Sequence, residues 1–332
     1  MRKEKLISVL MATYNSEEYV EDAINSILKQ THNNIEFIIC DDGSTDNTFE
    51  VISKYRNIDP RIRLFKNEFN MGLVKTRNKM FSLVSGSYIT FLDADDISSI
   101  NRLELLLEAI NSENLDIVGS NAVIIDDAGY ELNRTNYPSE IVNLDLMVKN
   151  KAPFFVGSSI LFKRELLSQV SGYSEYFDRI GSEDVDFIYR ILKKFKFRNL
   201  LEPLYLYRMT ENSLSRTNFM RNTLSLYSDQ LARDLYEYRK LSEYNELAEE
   251  EFVDSRKKEY LDTFDKDKGL VYEKLLFNVG LFNSKKELMK YISSIPKFDT
   301  TFSKKYRLVL RSLLYLIFGY KNLTKIKKHL TN

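Results

Sequence analysis

The sequence predicts an α/β chain: a doubly wound half with a mainly parallel sheet flanked by helices, then a helical C-terminal appendage. Three observations predict it. Short apolar runs, each ended abruptly by turn residues or acids, recur through the first hundred positions. Apolar residues at helical spacing separate them. Beyond Arg216, glycine and proline become rare and Glu, Lys, Leu and Tyr dominate, with stripes such as Leu224, Tyr227, Leu231 and Leu235. The expected division is therefore residues 1–216 and residues 217–332.

The first apolar run, residues 6–12, reads as a buried strand ended by Thr13-Tyr14-Asn15-Ser16. Ser16 is placed to cap a helix with Glu17 and Glu18 in its first turn and Val20, Ala23, Ile24 and Ile27 on its apolar face. The second run, residues 35–40, enters Asp41-Asp42-Gly43-Ser44-Thr45-Asp46, a turn of residues that bond their own backbone. Thr45 or Asp46 can cap the helix that carries Phe49, Ile52 and Tyr55. Residues 61–65 form a short strand, and Asn70-Met71-Gly72 breaks the chain before a helix bearing Lys75, Arg77, Asn78 and Lys79. The fourth strand ends in Asp93-Ala94-Asp95-Asp96. Strand carboxyl ends are where ligands bind in open α/β sheets. Three adjacent acids repel unless a cation or hydrogen-bond donors offset them. Two readings follow: a solvated turn with capping Asp residues, or a site for a hard divalent ion such as Mg²⁺ or Mn²⁺.

Composition narrows the function. Of 332 residues, 43% are hydrophobic and 29% charged, which suits a packed core. Lys and Arg equal Asp and Glu at 48 each, so nothing global argues for nucleic acid as a partner. The single cysteine, Cys40, excludes an intrachain disulfide and a cysteine zinc site. Two histidines, His32 and His329, make a His-rich metal site or a Ser/His/Asp triad hard to build. G-x-G-x-x-G and G-x-x-x-x-G-K-[ST] are both absent, which argues against a nicotinamide dehydrogenase and a P-loop enzyme. Residues 6–12 are too short for a signal-peptide core, and no stretch is long enough to span a bilayer. The expected location is cytoplasmic, at the inner face of the membrane if the C-terminal region described below binds lipid.

Taken together, residues 8–15, residues 41–46, Asn70-Met71-Gly72, Thr76-Arg77-Asn78 and residues 93–96 give a chain that closely resembles the family 2 glycosyltransferases. The resemblance covers residues 5 to about 215. It implies the GT-A fold and transfer of a sugar from a nucleotide-sugar donor with inversion. It also implies site roles. Thr13, Tyr14 and Asn15 would line the nucleobase pocket, Tyr14 offering an aromatic face. Asp42 would accept a hydrogen bond from the base, which favours uracil and so a UDP-sugar donor. Asp93, with Ala94 beside it, would place the ribose or the metal shell, and Asp95 would coordinate Mn²⁺ or Mg²⁺ on the diphosphate. Arg77 matches a position near the donor; its other reading is a solvated helix charge.

The second half of the site is expected further along. Residues 115–125 read as a strand with a hairpin turn at Asp126-Asp127-Ala128-Gly129, and residues 155–162 as another strand, where Gly157 lets a substrate approach the backbone. Glu183, Asp184 and Asp186 open a helix whose apolar face is Val185, Ile188, Tyr189 and Leu192. Acids in a first turn suit the helix dipole, which is the plain reading of all three. By resemblance, Asp184 is the general base and Glu183 orients the site, with Asp186 left as a cap. Residues 204–215 resemble the family's closing Tyr-Arg-x-His-x-x-Ser-x-Ser segment, with Thr210 at the histidine position. That departure removes one metal or diphosphate contact and leaves Arg208 or a serine to meet the phosphates.

By family resemblance the acceptor is a glycan, glycolipid or glycoprotein. A nucleotidyltransferase of similar fold and an inactive sugar-nucleotide-binding scaffold are the alternatives; the first would carry a Gly-rich loop that residues 12–15 lack. Residues 300–332 hold no acid and eight Lys or Arg around apolar runs at 308–310 and 313–318. This suits a helix lying in an anionic interface, or a packed helix or homo-oligomer contact within residues 217–332.

Overall fold

The computed structural model describes residues 5–141, 143–151, 154, 156–210, 222–242 and 245–266. The expectation for residues 300–332 lies outside them. The chain divides into two compact units, residues 1–213 with 232–242, and residues 214–231 with 243–332. The first break falls at 213/214, near the expected 216, and residues 232–242 belong with the first unit.

The first unit follows the sequence pattern. Strands β1 (Ile7–Thr13), β2 (Ile35–Asp41), β3 (Ile62–Lys66) and β4 (Tyr88–Phe91) alternate with helices α1 (Val20–Leu28), α2 (Thr48–Ile58) and α3 (Leu73–Phe81). All of β2 and nearly all of β1 is buried on both faces, which is why they read as continuous apolar runs. There follow β5 (Ile97–Ser98), α4 (Arg102–Ser112), β6 (Ile117–Ile125), β7 (Glu131–Arg134), α5 (Leu144–Lys149), β8 (Leu161–Lys163), α6 (Glu183–Leu192), β9 (Phe197–Arg208) and α7 (Ser228–Leu241), of which residues 232–241 belong to this unit.

Among the described residues one mixed sheet runs β3-β2-β1-β4-β8-β6-β9-β5, with β7 paired to β6. β3, β2, β1 and β4 are parallel, whereas β8 is antiparallel to both its neighbours. The chain winds outward from β1 to β3, then returns to β4 on the other side of β1. That reversal puts a crevice at the carboxyl ends of β1 and β4. Leu92 N–H donates to Leu10 O at 3.1 Å, so the acidic loop after β4 leaves the sheet beside β1.

Local expectations were met unevenly. The hairpin at Asp126–Gly129 forms between β6 and β7. Ser16 starts α1 through its backbone carbonyl, which accepts from Tyr19 and Val20, rather than through its hydroxyl, which donates to Tyr14 O. Residues 157–159 form a 3₁₀ turn before β8 instead of extending it. In the second unit, α8 (Glu246–Lys266) follows a 3₁₀ turn at Thr223–Leu226, and the Tyr227 and Tyr260 rings stack 5.0 Å apart. No helix among the described residues is long and apolar enough to cross a membrane.

Candidate active site

The loops after β1 and β2 are zipped together at the rim of the crevice. Asn15, in a left-handed conformation, accepts from the Thr45 N–H at 2.9 Å and from its hydroxyl at 3.3 Å. Glu17 accepts from the Asn47 backbone and amide, and Asp46 accepts from Glu17 N–H in return. Thr13 is buried with its hydroxyl toward Asp41 at 3.5 Å, and Asp41 holds the Ser44 backbone and hydroxyl. Of the three predicted pocket residues, Tyr14 presents its ring to solvent, at 43% exposed. Thr13 and Asn15 spend their side chains on the zip.

Asp42 is nearly buried and organises the loop that follows β3. Its Oδ1 accepts from Asn67 at 2.7 Å and from Met71 N–H and Thr76 Oγ1 at 2.9 Å. Its Oδ2 accepts from Gly72 N–H at 2.9 Å. A carboxylate oxygen has two lone-pair directions, so Oδ2 keeps one for a ligand.

The acidic loop after β4 is not a solvated turn. Arg77, Arg102 and Arg208 surround it, only 5%, 0% and 3% exposed. Arg77 pairs with Asp93 and reaches Glu183 at 3.7 Å, its guanidinium over the Phe91 and Tyr173 rings. This overturns the solvated-charge reading. Burial works against the Arg77 charge, but Asp93 foremost holds its pKa above an ordinary arginine's. Arg102 is fully buried and donates to Thr90 Oγ1 at 2.7 Å, Ser158 O at 3.0 Å and Phe91 O at 3.1 Å. Burial lowers it to about 10, with Tyr205, Asp93 and Asp96 pulling the other way.

The three acids differ in their surroundings. Asp93 uses one oxygen on Arg77 and the other on Ser158, whose hydroxyl donates at 2.6 Å. Asp96 is buried and accepts from Arg208 N–H at 2.7 Å, tying the loop to the end of β9. Burial first, then the charges of Asp95 and Asp93, raise it well above the usual carboxylate range. Asp95 is partly exposed, and burial with the Asp93 charge pushes it up to about 6. Ala94 is buried between them.

Arg208 corrects an expectation. The sequence offers Arg208 or a serine to the phosphates, but the Arg208 guanidinium is turned inward. Nε donates to Asp95 O at 2.9 Å and Nη1 to Asp127 O at 2.8 Å. Nη2 meets Asp22 at 3.4 Å and the plane lies over Tyr19. Its donors are thus divided among the acidic loop, the β6–β7 hairpin and Asp22 of α1. Thr210 is buried, and the serines expected after it lie outside the described residues.

α6 delivers the second pair of carboxylates. Positive backbone angles at Arg179, Gly181 and Ser182 turn the chain sharply into its first residue, Glu183. Glu183 is buried; burial first, then the Asp184 charge, push it up to about 7, with Arg77 pulling it down. Asp184 is partly exposed and accepts from Val185 N–H at 2.8 Å. Asp186 is not a cap: it is held by Arg190 at 2.9 Å and by Arg239 of α7 at 2.6 Å. Gly157 admits the Asp184 carboxylate rather than a substrate.

The sequence reading missed Arg102 and Ser158. The only signal was an arginine among the apolar residues of α4 and a serine beside a glycine. Among the described residues no three His, Cys, Asp or Glu side chains form a ready metal cage. Asp95, partly exposed, is the carboxylate best placed to offer an oxygen, and a Mg²⁺-type ion binds through one or two carboxylates plus phosphates and waters.

A family model described as glycosyl transferase family 2 matches residues 8–171. The chain is 31% identical over 228 residues to glycosyltransferase GlyG of Streptococcus pneumoniae serotype 4, covering 65% of this chain and 74% of that protein. It is 38% identical over 122 residues to the Escherichia coli UDP-Glc:alpha-D-GlcNAc-diphosphoundecaprenol beta-1,3-glucosyltransferase WfgD, covering 37% of this chain and 47% of that one. The crystal structure of S. aureus TarS 1-349 in complex with UDP-GlcNAc superposes with a TM-score of 0.57 at 17% identity, covering 93% of this chain and 91% of that one. That last likeness is one of fold.

Proposed function

The chain belongs to glycosyl transferase family 2, and on that premise we propose that it moves a sugar from a UDP-sugar to a hydroxyl of a glycan, glycolipid or glycoprotein, with inversion. One observation carries the reading. Arg77 joins Asp93, at the end of β4, to Glu183, at the start of α6, so the donor-side and acceptor-side carboxylates predicted from distant stretches share one crevice. UDP as the nucleotide is supported by the E. coli relative, named for UDP-Glc, and by the TarS complexes with UDP and UDP-GlcNAc.

In this reading the uracil lies against Tyr14 and its ring N–H donates to Asp42 Oδ2. Asp184 takes the proton of the acceptor hydroxyl. The freed oxygen lone pair attacks the anomeric carbon, and the bond to the diphosphate oxygen breaks, its electrons leaving with UDP. Arg77 holds Asp93 and Glu183, the neighbour of Asp184, in register. Mn²⁺ or Mg²⁺ would be held by Asp95 and would offset charge on the leaving diphosphate.

Calorimetric titration of UDP, with Mn²⁺ and then with EDTA, tests the reading, followed by a UDP-release panel of UDP-glucose, UDP-galactose and their N-acetyl forms. Metal-requiring binding is the expected result. Metal-independent binding would keep the transferase and remove the Asp95 role. No binding in either condition would overturn the UDP assignment.

A further inference from the structure

The 3₁₀ turn Gly157–Ser159 touches both halves of the crevice. On one side the Ser158 hydroxyl donates to Asp93 Oδ2 at 2.6 Å, opposite the Arg77 contact on Oδ1. The Asp93 carboxylate is thereby gripped from both ends. On the other side Gly157 lies against Asp184. A Cβ built on Gly157 would overlap Asp184 Oδ2 and stand 2.9 Å from its Cβ and Cγ. The want of a side chain here is therefore a matter of space.

The turn is itself fixed. Arg102 ties Ser158 O to Phe91 O, at 3.0 and 3.1 Å from one nitrogen. Ser159 Oγ lies between Val156 O at 2.8 Å and Ser120 O at 3.1 Å, with one hydrogen to share between them. Thr90 Oγ1 donates to Ile160 O at 2.6 Å. A buried arginine, a serine and a threonine thus staple the turn to β4 and β6, and its outer atoms meet the two carboxylates.

We propose that Gly157 and Ser158 are positioning residues that set the separation of the donor-side carboxylate Asp93 and the base Asp184. The inference rests on the roles assigned in the preceding subsection. Ser158 fixes Asp93 by direct donation. Gly157 fixes Asp184 by leaving only the room its carboxylate fills. A base displaced by about 1 Å loses on the order of 100-fold in rate.

The test compares full-length Ser158→Ala, Ser158→Thr and Gly157→Ala with the parent. UDP binding is measured by calorimetry in Mn²⁺, and kcat and KM from UDP release with whichever UDP-sugar the parent turns over. Ser158→Ala is expected to raise KM and the UDP Kd by about tenfold, the loss of one hydrogen bond to a charged group, and threonine to restore both. Gly157→Ala is expected to lower kcat by about 100-fold with Kd unchanged. A merely structural role would lower melting temperature and active fraction without this split. Ser158→Ala with parental KM and Kd, or folded Gly157→Ala with parental kcat, overturns the proposal. If Gly157→Ala does not fold, the serine pair decides: no threonine rescue overturns it. A parent that neither binds UDP nor releases it overturns the UDP-sugar reading and this inference together, whereas a parent that does both with no split among the variants overturns this inference alone.

Discussion

Arg208 donates its Nε–H to the main-chain carbonyl of Asp95 at 2.9 Å, so a cation from the end of β9 holds the acidic loop by its backbone. Arg208→Ala should therefore act mainly on stability. It strips donors from the carbonyls of Asp95 and Asp127 in a buried setting, a loss of about 2–4 kcal/mol. Lysine should not rescue it, because a single ammonium cannot match a planar fork that serves several acceptors. Thermal denaturation reads the result. Lost UDP affinity with an unchanged melting temperature would return Arg208 to the diphosphate.

Asp95→Asn should weaken the response of UDP binding to Mn²⁺ while leaving the melting temperature near the parent's. Burial and the charge of Asp93 raise the Asp95 carboxyl, so removing its charge relieves repulsion in the folded protein. An unchanged metal titration would refute the role.

Asp184→Asn should keep UDP affinity and lose turnover by about 100-fold or more. Parental turnover would assign the base elsewhere.

Activity should rise with pH through about 7, where the buried Glu183 beside Asp184 gives up its proton. The stability sign is opposite. Glu183 sits above its ordinary value of 4.5, so the folded state binds the proton more tightly than the unfolded chain. That contribution is full below about 4.5 and is lost as pH climbs through about 7. Glu183→Gln should flatten this part of the stability profile, measured as urea midpoint against pH. A parent profile that is flat between pH 5 and 7 would sink the assignment.

Arg77→Gln should cost about 2–3 kcal/mol by stranding the buried Glu183 and leaving the partly exposed Asp93 to solvent. It should also move the alkaline rise in activity to higher pH, since Arg77 pulls Glu183 down. A rise that stays in place would separate Arg77 from Glu183.

Much of this architecture was legible from residues alone. β1 and β2 declare themselves because both faces are buried, and Asp93 and Asp184 because acids end or begin elements whose other residues are apolar. What stayed hidden was the partner of each buried charge. Arg102 and Arg208 bind mainly main-chain carbonyls, which leave no mark on the spacing of side chains. Gly157 reads in the sequence as a close approach for a substrate, and it is the Asp184 carboxylate that stands there. Asp186 reads as a cap because caps are the commonest use of such acids.

The grip of Arg239 on Asp186 bears on how such chains can be recombined. The Asp186 side chain is only 1% exposed and shares its charge between Arg190 and Arg239, and Tyr236 of the same α7 helix donates to Asp145 at 2.6 Å. A chimera that takes its C-terminal region from a relative after residue 216 discards one of these arginines and loosens the helix that carries Glu183 and Asp184. Crossovers that preserve the transferase should fall beyond Ser242, so the heritable module is longer than the shared motifs that advertise it.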